Sequence, residues 1–408
     1  MKKTIRVGII GGGAAGYFSA ISAKAHFPNS EVTIFEKSAK VLAKVKISGG
    51  GRCNVTNACF DNKELSSFYP RGGSFLRKAF EQFNSKSTMD WFENRNVSLD
   101  VLAENCVFPR SNQSQSIIDC FVEEAKTKNI EVKIQTGIVA IEIQKNGSFI
   151  LKSGQGDFEV DKVIVTTGGH PKRESLVWLE KIGHSIVDPL PSLFTFNMPK
   201  NPVCALMGNV VEETTVKIEG TKLTANGPLL VTHWGMSGPA ILKLSAWGAR
   251  DLAAKGYQFS ILVNWLNDQK EEKLRTTMNK IIEQHGMKMI GNLNPFKMTS
   301  RLWNFLLEKT NINPEKRWNE VGKKSINKLI NTLLNDRYHV AGKTTFKEEF
   351  VTAGGISLEK VDVMTMQSRV VPGLFFAGEV LDIDGVTGGF SFQAAWTTGW
   401  IAGKNCCN

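Results

Sequence analysis

Apolar positions along the chain fall into blocks with different periods. Arg6-Val7-Gly8-Ile9-Ile10 is a short apolar run ended by glycines, the pattern of a buried parallel strand. Ala14 to Ala25 is Ala-rich and reads as a helix, Pro28-Asn29-Ser30 as a turn, and Glu31 to Glu36 as a second strand. The chain thus opens on a βαβ unit. Phe75 to Phe83 and Ser87 to Phe92 read as helices, and Ile117, Ile118, Phe121, Val122 and Ala125 recur at helical spacing. From Val132 to Val165 the pattern turns to short alternating strands, with turns at Lys145-Asn146-Gly147 and Gly154-Gln155-Gly156.

After Pro189 and Pro191 the character changes. Residues 192–265 carry short β-rich runs such as Thr214 to Ile218, whereas residues 268–340 are helical in pattern and rich in Lys. Strand signals return from Thr344. The expected fold class is α/β. The expected organisation is a discontinuous domain from residues 1–190 plus 341–408, an inserted β-domain at 191–267 and an inserted basic helical domain at 268–340.

Composition narrows the partners. With 42% hydrophobic and 22% charged residues over 408 positions, a disordered, collagenous or coiled-coil chain is excluded. The net charge is +11, and residues 268–340 hold 14 Lys/Arg against 8 Asp/Glu, more than half of that excess. Anionic partners are favoured over cationic ones. The seven Cys form no disulfide framework or zinc spacing, so free thiols in a reducing cytoplasm are expected. No apolar run approaches the roughly 18 residues of a membrane helix, so no membrane partner is expected. Lys2-Lys3 and the apolar run after them mimic a signal peptide, but Gly11-Gly12-Gly13 interrupts it.

Gly11-Gly12-Gly13-Ala14-Ala15-Gly16 matches G-x-G-x-x-G between a strand and a helix. Gly11 permits the tight turn, Gly13 a close approach of backbone to pyrophosphate, and Gly16 close helix–strand packing. The helix start offers unpaired N–H groups to phosphate. Glu36 ends the next strand, where an acid that binds the ribose hydroxyls is expected. This much does not separate FAD from NAD. The C-terminal stretch does. Gly373 to Glu379 is an apolar strand running into Gly-Glu, and a helix opens at Gly388-Gly389. Such a helix start suits the pyrimidine end of a flavin, and Glu379 suits ribityl hydroxyls.

Ile47 to Asn57, with the sequence ISGGGRCNVTN, resembles the S-G-G-G-R-C-N-x-T-N signature of the YhiN-like flavoproteins, also described as aminoacetone oxidase-type or BaiN-like NAD(P)/FAD-dependent proteins. Thr232 to Ala240, Val351 to Gly355 and Gly378 to Trp396 resemble its other signatures. The resemblance spans essentially the whole chain. It implies a glutathione-reductase-type Rossmann FAD-binding domain with inserted β-barrel-like and helical domains. It implies that Gly11, Gly13, Ala14, Ala15, Gly16 and Glu36 hold the ADP part. Ser48, Gly50, Gly51, Arg52 and Asn54 would run along the flavin. Gly378 and Glu379 would hold the ribityl and pyrophosphate groups, and Gly388, Gly389, Phe390 and Ser391 the isoalloxazine. Lys37, Lys44, Val139, Thr167 and Gly168 complete the expected cofactor set. Ser391 replaces the Asn of the G-G-[FY]-N-x-Q pattern, and a hydroxyl still hydrogen-bonds there.

No catalytic base is assigned from sequence, since flavin chemistry resides in the cofactor. Cys53 is read as a single thiol packed near the flavin, with redox chemistry as the lesser alternative; His170 is read as a turn histidine, and His233 as either a general acid or a turn histidine. The expected activity is an FAD-dependent oxidoreductase that takes electrons from transiently bound NAD(P)H to a C=C or similar acceptor in a small-molecule substrate. Two alternatives stand: an amine oxidase using O₂, and a uridine-reducing RNA-modifying enzyme. The latter would grip RNA through the basic insertion, with Lys316-Arg317-Trp318 and Lys323-Lys324 as cations beside an aromatic. A non-enzymatic flavin sensor is a third class.

Overall fold

A computed structural model describes residues 4–267, 269–344 and 351–408. The chain forms two compact units, Met1–Ser192 with Phe346–Asn408, and Leu193–Thr345.

The first unit is built on a five-stranded parallel sheet. Its order is Leu374–Phe376, Lys162–Val165, Arg6–Ile10, Glu31–Phe35 and Glu131–Lys133. The near-continuous apolar runs read from sequence are central strands, with Val7, Ile9, Ile164 and Phe376 fully buried. Val163 pairs with Leu374, so both ends of the chain enter one sheet.

The last helix, Phe390–Asn405, lies against the first, Ala14–His26. Small residues make this possible: a Cβ on Gly403 would fall 2.3 Å from the Ser19 carbonyl oxygen. The Ser22 hydroxyl donates across to the Trp400 carbonyl at 2.7 Å. Beside them, Phe18 packs against Trp91, Phe121 and Trp396 with centroids 4.7–6.1 Å apart. An antiparallel meander of Ile138–Ile143, Phe149–Ser153 and Gly156–Val160 flanks the sheet's connections. Ile186–Ser192 and Val351–Ile356 form a separate antiparallel pair.

The second unit centres on a seven-stranded sheet. Its longest strands are Val210–Ile218, Thr224–Thr232 and Gln258–Asn264, all antiparallel to their neighbours. Helices Glu271–His285, Ser300–Lys309 and Lys323–Leu334 carry Leu274, Trp303 and Leu329 into the same core as Val216 and Ile261 of the strands. The β-rich and helical stretches, read from sequence as separate domains, therefore share one hydrophobic core. The shift in composition near residue 267 marks a change of element type rather than the edge of a folding unit. Asp336 fastens the two layers. It is 2% exposed and accepts from Lys309 Nζ at 2.5 Å and from Trp265 Nε1 at 3.0 Å.

Among the described residues, no helix is long and apolar enough to cross a membrane, and no cluster of three or more His, Cys, Asp or Glu could hold a metal ion.

Candidate cofactor site

The loop after the first strand uses its glycines for different reasons. Gly11 has φ +117°, and a Cβ there would lie 2.5 Å from the Thr166 carbonyl oxygen. Gly16 is still more constrained, since its Cβ would lie 1.9 Å from the Gly11 carbonyl oxygen. Thr166 locks the turn by donating to the Ile10 and Gly11 carbonyls, each at 3.0 Å. Gly13 is unlike both. Its φ of −92° suits any residue, and a Cβ would meet nothing within 4 Å. The protein itself does not require glycine there, and a bare backbone facing open space is what a pyrophosphate needs. Gly13 caps the first helix without a side-chain acceptor, and no acid sits in the first turn. The first-turn N–H groups and the positive end of the helix dipole are left for an anion. Ala14 opens that turn. Ala15 is buried, and a Cβ on Gly378 would lie 2.7 Å from its methyl.

Glu36 stands beside this cradle. One carboxylate oxygen accepts from the Gly12 N–H at 2.8 Å and the other from the Ser38 N–H at 2.8 Å. The Ser38 hydroxyl also donates to that second oxygen, at 2.5 Å, so the oxygen that faces Gly12 is the one that retains a lone pair. The Thr136 N–H donates to the Glu36 carbonyl at 2.7 Å, which ties the approach to Val139 to this corner. Val139 itself is 65% exposed on its strand.

The SGGGRCN stretch breaks the helix that begins at Ala43. Ser48 is extended (ψ 149°), and Gly49, Gly50 and Gly51 then lie in the left-handed region. A Cβ on Gly50 or Gly51 would meet nothing within 4 Å. Ser48 spends its hydroxyl on the Val45 carbonyl at 2.9 Å. Arg52 donates to the Gly49 carbonyl at 3.2 Å and lays its guanidinium 4.5 Å over the Phe108 ring, which braces the turn. The Asn54 amide nitrogen donates to the Thr56 and Val107 carbonyls at 2.9 and 3.1 Å, and its oxygen accepts from the Gly389 N–H at 3.2 Å. Asn54 thus joins two loops. Cys53 is fully buried, and burial pushes its thiol up to about 12. It stays protonated near neutral pH and cannot supply a thiolate.

A third group lies at the end of strand Lys162–Val165. Glu379 accepts from Lys44 Nζ and from the Thr352 N–H, both at 2.9 Å. Gly169 fits beneath them, since its Cβ would lie 2.6 Å from the Glu379 carboxylate. Gly168 has φ +74° and open space before it. His170 Nε2 lies 3.0 Å from the Thr167 hydroxyl. Burial, then the charge of Lys37, pulls His170 down to about 4, with Lys44 assisting and Glu379 opposing. The imidazole is neutral near pH 7.

The last helix opens on the second glycine pair. Gly389 has φ +91°, and its Cβ would lie 2.5 Å from the Thr56 carbonyl oxygen. Asn57 Nδ2 donates to the Gly388 carbonyl at 3.3 Å. Phe390 stacks on Phe68, centroids 4.5 Å apart, and its carbonyl accepts from the Tyr69 hydroxyl at 2.7 Å. Ser391 stands in a first turn with no acid and no side-chain cap.

Sequence reasoning missed the residues that hold these loops: Thr166, Asn57, Tyr69 and Gln393. Gln393 is fully buried, accepts from Thr56 and Thr88 at 2.6 and 2.9 Å, and donates to Thr397 at 3.0 Å. It lies within the Gly378 to Trp396 stretch, and its polarity amid apolar neighbours is the signal that sequence offers. In the second unit, His233 is an exposed turn residue whose ring lies 4.1 Å from that of Trp234.

A parallel sheet with a glycine turn after its first strand and a glycine pair before the last helix, matched along its length by one Rossmann family, marks a Rossmann-type flavoprotein of the oxidoreductase class. The chain belongs to the HI0933-like family, whose profile, the HI0933-like protein Rossmann domain, matches residues 5–405. This agrees with the family resemblance of the motifs. The chain is 26% identical over 414 residues to a 3-dehydro-bile acid delta(4,6)-reductase of Clostridium scindens, covering 98% of each. It is 27% identical over 410 residues to the ribosomal RNA dihydrouridine synthase of Escherichia coli, covering 97% of this chain and 96% of that protein. Among solved structures, a 3-ketosteroid-delta4-(5alpha)-dehydrogenase from Rhodococcus jostii superposes with a TM-score of 0.52 at 11% identity, covering 100% of this chain and 98% of that one. That likeness is one of fold.

Proposed function

We propose that the protein reduces an activated C=C bond of a small-molecule substrate, with NAD(P)H as a transiently bound electron donor. One observation carries this reading: two relatives that align over nearly the whole chain are named for a reductase acting on a dehydro-bile acid and for a synthase of dihydrouridine. Dihydrouridine is uridine with its ring double bond reduced, so both names describe hydrogen added to a conjugated ring. Bound FAD would supply two-electron chemistry at N5.

The chain's own residues would position the cofactor. Gly13, Ala14 and the first-turn N–H groups would take the pyrophosphate, and Glu36 the adenosine ribose, with Lys37 and Val139 at that end. Lys44, Thr167, Gly168, Gly378 and Glu379 would line the ribityl stretch. Gly50 and Gly51 offer bare backbone to a flat ring, and the uncapped helix start at Gly388–Ser391 would favour charge at the pyrimidine end. No second G-x-G-x-x-G follows a strand elsewhere, which supports a donor without its own domain.

Anaerobic mixing of the FAD-loaded protein with NADH, NADPH and small amines tests the proposal. Bleaching by a reduced nicotinamide, reversed by an α,β-unsaturated carbonyl, supports it. Bleaching by amines alone overturns it in favour of the amine oxidase.

A second reading, RNA as the substrate, is favoured by the E. coli relative's name and by exposed Lys316, Lys323, Lys324 and Lys328. The expected base-stacking role of Trp318 does not survive. Trp318 is fully buried and stacks on Trp303 at 6.3 Å. Any grip on RNA would then be electrostatic and fall steeply with salt. Binding that is absent or insensitive to salt would remove this reading.

A further inference from the structure

Two thiols stand together away from the cofactor loops. Cys406 and Cys407 follow the last helix, with their sulfurs 3.6 Å apart. Cys406 is fully buried and donates to the Gly403 carbonyl at 3.2 Å. Cys407 is partly exposed. The hydrogen bond between them, then burial, pushes the Cys406 thiol up, while the same bond holds Cys407 below its ordinary value. Lys162 favours the thiolate at both sulfurs, and Asp161 opposes it at Cys407. One sulfur is thus reachable from solvent, and the other is buried directly beside it. Cys53, Cys59 and Cys120 are different, since burial pushes their thiols up to about 12, 11 and 12.

An accessible sulfur with a second, buried sulfur 3.6 Å away is the arrangement in which an oxidised cysteine can be resolved by its neighbour. We propose that Cys406–Cys407 is an oxidation site for hydroperoxides, with Cys407 as the attacking and Cys406 as the resolving thiol. The Cys407 thiolate attacks one peroxide oxygen and the O–O bond breaks. The leaving oxygen takes a proton and departs as an alcohol, or as water from hydrogen peroxide. Cys407 is left as a sulfenic acid. Cys406 sulfur then attacks Cys407 sulfur, the S–O bond breaks, and the hydroxide leaves as water with the Cys406 proton. Two thiols supply the two electrons that reduce the peroxide. The ring closed between adjacent residues is small and strained, so the bond is readily reduced by dithiols.

The test is a mass map of the purified full chain after reduction, removal of reductant and brief exposure to hydrogen peroxide. The peptide after Lys404 is expected to lose about 2 Da and to regain it with dithiothreitol. Cys406→Ser is expected to stop at the sulfenic acid, gaining about 16 Da and reacting with dimedone. Cys407→Ser is expected to show neither change. Iodoacetamide labelling of the unsubstituted protein gives an independent ranking, with Cys407 expected roughly tenfold faster than the partly exposed Cys204. Labelling of Cys407 no faster than Cys204, or its passage to the sulfinic acid with no disulfide, overturns the proposal.

Discussion

The glycine loop after the first strand is held by its own backbone and by Thr166, whereas the glycine pair before the last helix is held by the Asn54 and Asn57 side chains and the Thr56 backbone, from the other end of the chain. Gly11 and Gly16 fit because carbonyl oxygens of the same turn and the neighbouring strand leave no room for a Cβ. Gly388 and Gly389 fit because Asn54, Thr56 and Asn57 close over them. The first cradle is specified mainly by a short peptide pattern, with Thr166 as a distant tie. The second exists only once the fold is complete. A site assembled this way couples cofactor binding to global folding at one end and barely at the other.

The sharpest way to break that contrast begins with Gly16→Ala. Its Cβ would overlap a carbonyl oxygen that cannot yield, so a loss of about 3 kcal/mol or more is expected in urea unfolding. Gly389→Ala combines φ +91° with a 2.5 Å approach to Thr56, and a loss of about 2–3 kcal/mol is expected, with weaker flavin retention. If this variant were as stable as the parent, the second cradle would not depend on the fold as described. Gln393→Leu leaves the buried Thr56 and Thr88 hydroxyls without their acceptor, and a loss of about 2 kcal/mol is expected. Gly13→Ala sharpens the comparison from the other side. Unfolding of the cofactor-free protein should shift by less than about 0.5 kcal/mol, while the FAD dissociation constant rises roughly tenfold or more. Unchanged FAD binding in that variant would remove the cradle reading.

The smallest effect concerns pH. His170 sits at about 4 when folded against an ordinary 6.5, so below 6.5 the unfolded chain takes up a proton that the folded chain refuses. Stability should therefore fall as pH drops through that window and be unaffected above it. His170→Gln should lose less in melting temperature than the parent over this range. His184, also pulled down by burial, leaves a residual slope in both.

Legibility followed the range of the interactions. The contacts of Gly16 with Gly11 and of Glu36 with Gly12 were readable because they lie in one βαβ unit, whereas Thr166, 155 positions from Gly11, was not. The Gly378 to Ser391 stretch was readable through its family signature, but its supports were not. Tyr69 reaches Phe390 across 321 positions, and Thr56 reaches Gln393 across 337. No window of sequence reports such pairs. Trp318 was misread for a related reason. Lys316 and Arg317 beside it are exposed, and only the packing of Trp303 shows that the indole turns inward. The separate helical domain was misread because composition records element type, not which elements share a core.

The pairing of Ser192 with Val351 has one more implication. The strand that ends at Ser192 and the strand that begins at Val351 are antiparallel neighbours, so the first unit brings two ends of its own backbone together. A tight turn spliced between those two residues would restore a plain hairpin. That shortened chain would keep all five strands of the parallel sheet and both chain ends that enter it.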